Sequence, residues 1–222
     1  MDLVDRIVTF LVPLILSLSV HEYAHAQAAW WLGDDTAERE GRRTLNPINH
    51  IDVFGTLLFP ILALAAPGGF LFGWARPVPV NPLMLSRRFS MKTGMMIVAI
   101  AGPVSNLLLA FLTVAGFRVM LFFDPSLITQ KVALEILIGV TGLNLALCLF
   151  NLIPVYPLDG SRVLRGILPE GYTRWLDVME RNPMILIVAF VLVISYAGSI
   201  LMYPIIFLFN LITTICGLPL QF

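Results

Sequence analysis

Charge is scarce in this chain of 222 residues. Asp, Glu, Lys and Arg make up 13% of it and hydrophobic residues 58%, against ~25% charged in ordinary soluble domains. That balance excludes a soluble globular domain. Fourteen Lys+Arg offset fourteen Asp+Glu to a formal net charge of zero, so no chain-wide basic field exists and no nucleic-acid partner is expected. Cysteine is almost missing. Cys148 and Cys216 both lie in apolar runs, which excludes a disulfide framework and a Cys-rich zinc site and leaves them as small core residues. No charge occurs between Asp52 and Arg76, Lys92 and Arg118, or Glu135 and Asp159, or after Arg181. Each gap can span a bilayer, for which ~20 apolar residues suffice. A basic leader is also missing: Ile7 to Val20 is apolar, but Asp2 and Asp5 outweigh Arg6, so the first segment reads as a retained helix rather than a signal peptide.

What is present is punctuated by proline and glycine. A first helix is expected over 4–32, ending at Gly33. The apolar stretch Val53 to Ala66 is short for a crossing and breaks at Pro67-Gly68-Gly69. From Phe70 to Pro82, Pro77, Pro79 and Pro82 forbid helix and favour extended backbone. Long helices are expected over 91–123 and from 128, the latter opened by Pro154 and Pro157 before Asp159-Gly160. A short amphipathic helix over about 161–181 follows, and 183–218 makes one helix or two broken near Pro204. The whole reads as one domain over 1–222, an all-α polytopic membrane protein. Its five or six hydrophobic elements include a re-entrant half-helix and a short extended, β-hairpin-like membrane segment.

Histidine occurs three times, and two of the three lie in His21-Glu22-Tyr23-Ala24-His25. Positions i and i+4 share a helix face, so His21 and His25 can bind one metal with Glu22 beside them. A carboxylate placed there can take a proton from water that the metal acidifies. Ionisable groups are costly in an apolar helix, which favours this reading over coincidence. Two histidines leave a zinc site incomplete. The candidates for a third ligand are Asp159, Glu135 and His50, with Asp159 best placed after the proline-broken stretch; the alternative for Asp159 is a helix N-cap.

These residues, with Gly102-Pro103-Val104-Ser105-Asn106 and Asn151-Leu-Ile-Pro154-Val-Tyr-Pro157-Leu-Asp159-Gly160, resemble the site-2 protease family of intramembrane zinc metalloproteases over most of residues 10 to 168. The resemblance implies that His21, His25 and Asp159 bind one Zn2+ ion, that Glu22 is the catalytic acid/base, and that Asn151 and Pro154 handle substrate. Ala24 departs from the glycine of many members, and no PDZ or CBS domain is present. Asn106 is either an oxyanion donor or a helix-to-helix hydrogen-bonding group.

A ligand set of this kind constrains topology. If every apolar segment crossed fully, the first and fourth would run antiparallel and His25 and Asp159 would face opposite sides. If residues 53–82 instead enter and return, those helices become parallel and eleven of the fourteen basic residues fall on one side, leaving Arg6, Arg118 and Lys131 on the other. The expected partners are a transmembrane protein substrate, which the extended segment either pairs with or is plugged against, and the lipid bilayer. Oligomeric state is not legible. A transporter or metal-handling protein using the same cluster is the competing function.

Overall fold

Runs without charge or helix breakers fold as helices because backbone polar groups away from water must be satisfied within the segment. The computed structural model describes residues 3–65 and 73–220, and every regular element among them is helical. Helix α1 spans Leu3–Trp31. It stops at Gly33, whose φ of +99° is open chiefly to glycine. A short α2, Thr36–Arg39, lies in the charged stretch that follows. The apolar 53–66 stretch becomes a π-helical turn, Val53–Leu58, running into α3, Phe59–Ala65. Asp52 starts it by accepting the N–H groups of Phe54 and Gly55, a cap of about 1 kcal/mol.

Helix α4, Met91–Phe123, begins at Ser90, whose hydroxyl accepts the Thr93 N–H, and continues through Pro103. Helix α5 is Lys131–Asn151. Helix α8, Pro183–Ile215, is continuous through Pro204, which decides between one C-terminal helix and two. Met91–Phe123, Lys131–Asn151 and Gly198–Ile215 are each long and apolar enough to cross a membrane.

Two expectations are corrected. The amphipathic stretch 161–181 is two helices, α6 at Asp159–Ile167 and α7 at Arg174–Arg181. Leu168 is extended, with ψ 148°, as the residue before a proline tends to be. The β-hairpin-like segment forms no strand among the described residues, and its Phe70 to Phe72 portion lies outside them. From residue 73 to 81 the chain has no regular secondary structure and is fastened by separate contacts. Trp74 N–H donates to Gly55 O at 3.2 Å and Arg76 N–H to His50 O at 2.8 Å. Pro77 and Pro79 remove donors that a ladder would need.

Helix α4 is the hub, packed on α1, α5 and α6. Its far half joins α5 and α8 in a core of Val114, Leu137, Leu145 and Phe209. Hydrogen bonds give the helix directions. Ser17 O accepts from Asn106 and His25 faces Val98, so α4 runs opposite to α1. Asn106 meets Asn144, whereas His25 meets Asp159 beyond the end of α5. Helices α1 and α5 are therefore parallel, as the convergence of His25 and Asp159 requires.

Candidate metal centre

Three buried side chains converge where α1, α4 and the start of α6 meet. His21 and His25, one turn apart on α1, are 4% and 7% exposed, and Asp159 at the first residue of α6 is 6% exposed. The Nε2 atoms of the two histidines are 3.0 Å apart, and each lies 3.2 Å from Asp159 Oδ2. Asp159 does not cap its helix; Leu158 occupies that position.

The opposite ring nitrogens fix how the rings are turned. His25 Nδ1 is 2.8 Å from Val98 O, a carbonyl that can only accept, so Nδ1 carries a proton and Nε2 is the nitrogen turned toward Asp159. His21 Nδ1 is 2.6 Å from Asn106 Oδ1. Asn106 is oriented in turn, since its Nδ2 donates to Asn144 Oδ1 at 3.0 Å, and Asn144 Nδ2 donates to Val140 O at 2.9 Å. Two imidazole Nε2 atoms and a carboxylate oxygen thus face one point, a donor set suited to a divalent cation. A tetrahedral zinc ion with ligand bonds of ~2.0–2.1 Å has ligand-to-ligand edges of roughly 3.3 Å, close to the three edges found. These residues form a cluster that could hold a metal ion, and it fits zinc in donor type and spacing.

Glycine makes the cluster possible. A Cβ at Gly102 would overlap the rings of His25 and His21, and one at Gly160 would overlap the carbonyls of Leu152 and Ile153. Glu22, 8% exposed, stands beside the cluster, and its Oε2 accepts the Val78 N–H at 2.8 Å. The segment carrying Val78 is gripped from the other side. Arg42, 7% exposed, donates from Nη2 to Arg76 O at 2.7 Å and Pro77 O at 3.3 Å. Burial and the nearby Arg76 guanidinium pull the Arg42 pKa below the usual arginine value, with Glu22 and Glu40 opposing them.

Two cavities meet at this centre. One of about 200 Å³ is lined by His21, His25, Asp159, Glu22, Val78 and Arg162. The other, about 650 Å³, is walled mainly by apolar side chains of α1, α5 and α8 and reaches His21 and Glu22. Asn151 and Arg162 line both, although Asn151 also donates back to Leu147 O at 3.0 Å. Pro154 is exposed and lines neither cavity. Of the other ligand candidates, His50 is 2% exposed and hydrogen-bonded through Nε2 to Thr44 O, while Glu135 faces Lys131 at 3.7 Å. Sequence reasoning passed over Asn144 and Arg42. Asn144 had a signal, as one of two amides, with Asn151, in a charge-free run. Nothing distinguished Arg42 from Arg39 and Arg43.

No protein-family model matches the chain, and no solved structure matches it. Curated proteins do. YwhC of Bacillus subtilis (strain 168), provisionally named a zinc metalloprotease, is 40% identical over 200 residues, 87% of this chain and 83% of its own. Rip2 of Mycolicibacterium smegmatis, named in the same provisional way, is 34% identical over 159 residues, 70% of this chain and 56% of its own. Zinc metalloprotease MJ0392 of Methanocaldococcus jannaschii is 36% identical over 81 residues, 36% of this chain and 22% of its own. Identity at the level of the first, sustained along nearly the whole chain, agrees with the motifs around residues 21, 102 and 159: the chain belongs to the site-2 protease family of zinc metalloproteases.

Proposed function

We propose that this metalloprotease is an intramembrane endopeptidase that hydrolyses peptide bonds within or beside transmembrane segments of its substrates. The observation that carries the reading is a buried His21–His25–Asp159 centre opening into an apolar cavity of about 650 Å³. Such walls suit an uncharged hydrophobic segment and offer little to a hydrated chain.

Zinc bound by His21, His25 and Asp159 would polarise the scissile carbonyl and bring the pKa of water toward ~7. The protein's own groups do the rest. Asn106 and the Val98 carbonyl hold both imidazoles in the tautomer that leaves Nε2 free, which aims the ligands and raises their basicity. Glu22 uses Oε2 for the Val78 N–H and keeps Oε1 to accept a proton from the attacking water and return it to the leaving amine. Arg162, with Nη1 3.8 Å from Asp159 Oδ1, adds positive charge where the two cavities meet.

A helical substrate must unwind before its peptide bond is accessible, and unwound backbone in lipid needs partners. The 73–81 segment supplies them unevenly. Its Trp74, Arg76 and Val78 N–H groups are engaged, Pro77 and Pro79 have none, and the Trp74, Arg76 and Pro77 carbonyls are taken by Thr56 and Arg42, so a substrate strand would meet few backbone partners there. Plugging the site suits that pattern better than a two-way ladder.

In the bilayer, residues 53–82 enter and return on one side, the N-terminus is extracytoplasmic, and the centre lies nearer the cytoplasmic face. This placement gathers eleven of the fourteen basic residues on that face. Incubating purified enzyme with a peptide carrying one transmembrane segment and soluble flanks, then mapping the products by mass spectrometry, tests the substrate class. Cleavage inside or at the edge of the apolar segment is expected. Cleavage confined to the soluble flanks overturns the proposal.

A further inference from the structure

Arginine is seldom as buried as Arg42 without partners for its charge, and those partners lie outside the His21–His25–Asp159 cluster. Its two acceptors are consecutive carbonyls, Arg76 O and Pro77 O. The second matters most for chemistry, because Pro77 O and Val78 N belong to one planar peptide group whose C=O and N–H point in opposite directions. Arg42 therefore grips one side of the peptide, and Glu22 Oε2 receives the N–H on the other. A charged donor on the carbonyl side also polarises that peptide and strengthens its N–H as a donor.

We propose that Arg42 is a positioning residue for Glu22, acting through the Pro77–Val78 peptide to hold the carboxylate in the orientation that catalysis needs. The inference rests on reading Glu22 as the acid/base and adds the device that aims it. The segment is tied independently on both sides of this peptide, by Arg76 N–H to His50 O at 2.8 Å and by Asn81 N–H to Asp34 Oδ2 at 2.6 Å. Loss of Arg42 should therefore free the peptide to rotate without detaching the segment. The neighbouring arginines act elsewhere. Arg39 pairs with Asp35 in an exposed contact, and Arg43 stacks over Trp30 at 4.6 Å and pairs with Glu38.

The test uses the full chain in detergent with a transmembrane peptide substrate, and reads kcat, KM, zinc per chain and hydrogen exchange in the fragment 74–80. Arg42→Ala should lower kcat roughly 10–100-fold, leave KM and zinc content unchanged, and speed exchange of the Val78 amide. Arg42→Lys, which keeps a cationic donor for the two carbonyls, should recover most of the kcat, and Arg39→Ala should behave as wild type. Val78→Pro, lacking the N–H, should reproduce the kcat defect with zinc retained.

An unchanged kcat in Arg42→Ala overturns the proposal, as does a defect confined to KM, which would assign the segment to substrate binding. Loss of zinc in both Arg42→Ala and Arg42→Lys also overturns it, since the role would then be structural. If Arg42→Ala does not fold, Arg42→Lys and Val78→Pro decide by the same readouts. The exchange rate of the Val78 amide in substrate-free enzyme reports on the clamp whether or not Glu22 is the acid/base, so failure of the catalytic reading remains separable from failure of this one.

Discussion

At the scale of single residues, the centre depends on what is missing at position 102. A methyl group there would occupy the space of the imidazoles, so Gly102→Ala should weaken zinc binding about 10–100-fold while the helices remain; metal titration of the apoprotein checks this. Asn106→Ala should weaken it by a similar factor, because His21 Nδ1 loses its acceptor and the ring its fixed orientation. Retention of wild-type affinity in both would mean that the ring contacts do not aim the ligands. His21, Glu22 and His25 were legible in the sequence because helical spacing alone puts them together. Asp159 lies more than a hundred residues away, and residue spacing left its choice between ligand and N-cap open. Its 3.2 Å approach to both histidines is a tertiary fact. Arg42 was illegible for the same reason, since its partners are backbone atoms 34 and 35 residues distant.

At the scale of elements, the long helices were readable to within a few residues, because their ends carry strong local signals: Ser90 at the start of α4, Asp124-Pro125 after it, and Asn182-Pro183 at the start of α8. Pro169 was an equally local signal for the break between α6 and α7, and amphipathic periodicity obscured it. The 73–81 segment was harder. Prolines identified it as extended, but what fastens it comes from elsewhere in the chain. Asp34, 1% exposed, is one such fastener, accepting from Thr36 through Oδ1 and from Asn81 N–H through Oδ2. Asp34→Ala leaves those donors unsatisfied and should cost about 1–3 kcal/mol, seen as a lower thermal midpoint in detergent and faster amide exchange around residue 81. An unchanged midpoint would mean that water replaces the carboxylate without loss.

At the scale of the whole molecule, scarce charge marks both the environment and the active centre. Apolar surroundings disfavour ionisable groups, and among the described residues the buried His21, Glu22, His25 and Asp159 gather at one point, while the buried Asp34, Arg42 and His50 fasten the loops beside it. Parallel α1 and α5 with α4 between them follow from the contacts, and charge counting in the sequence had already favoured that arrangement. The sidedness derived from it can be tested with single cysteines introduced after replacing Cys148 and Cys216. Glu40→Cys should react with an impermeant thiol reagent only from the cytoplasmic face and Ser126→Cys only from the opposite face. Labelling of both from one face would contradict the topology.

The central claim is that Glu22 performs the proton transfers at a zinc centre made by His21, His25 and Asp159. Glu22→Gln isolates it, because a glutamine oxygen can still accept the Val78 N–H while the base is lost. The decisive measurement is cleavage of a transmembrane peptide by purified Glu22→Gln protein whose zinc content is determined in the same sample. One zinc per chain with no cleavage is the predicted result; cleavage at the wild-type rate with zinc in place would contradict the account.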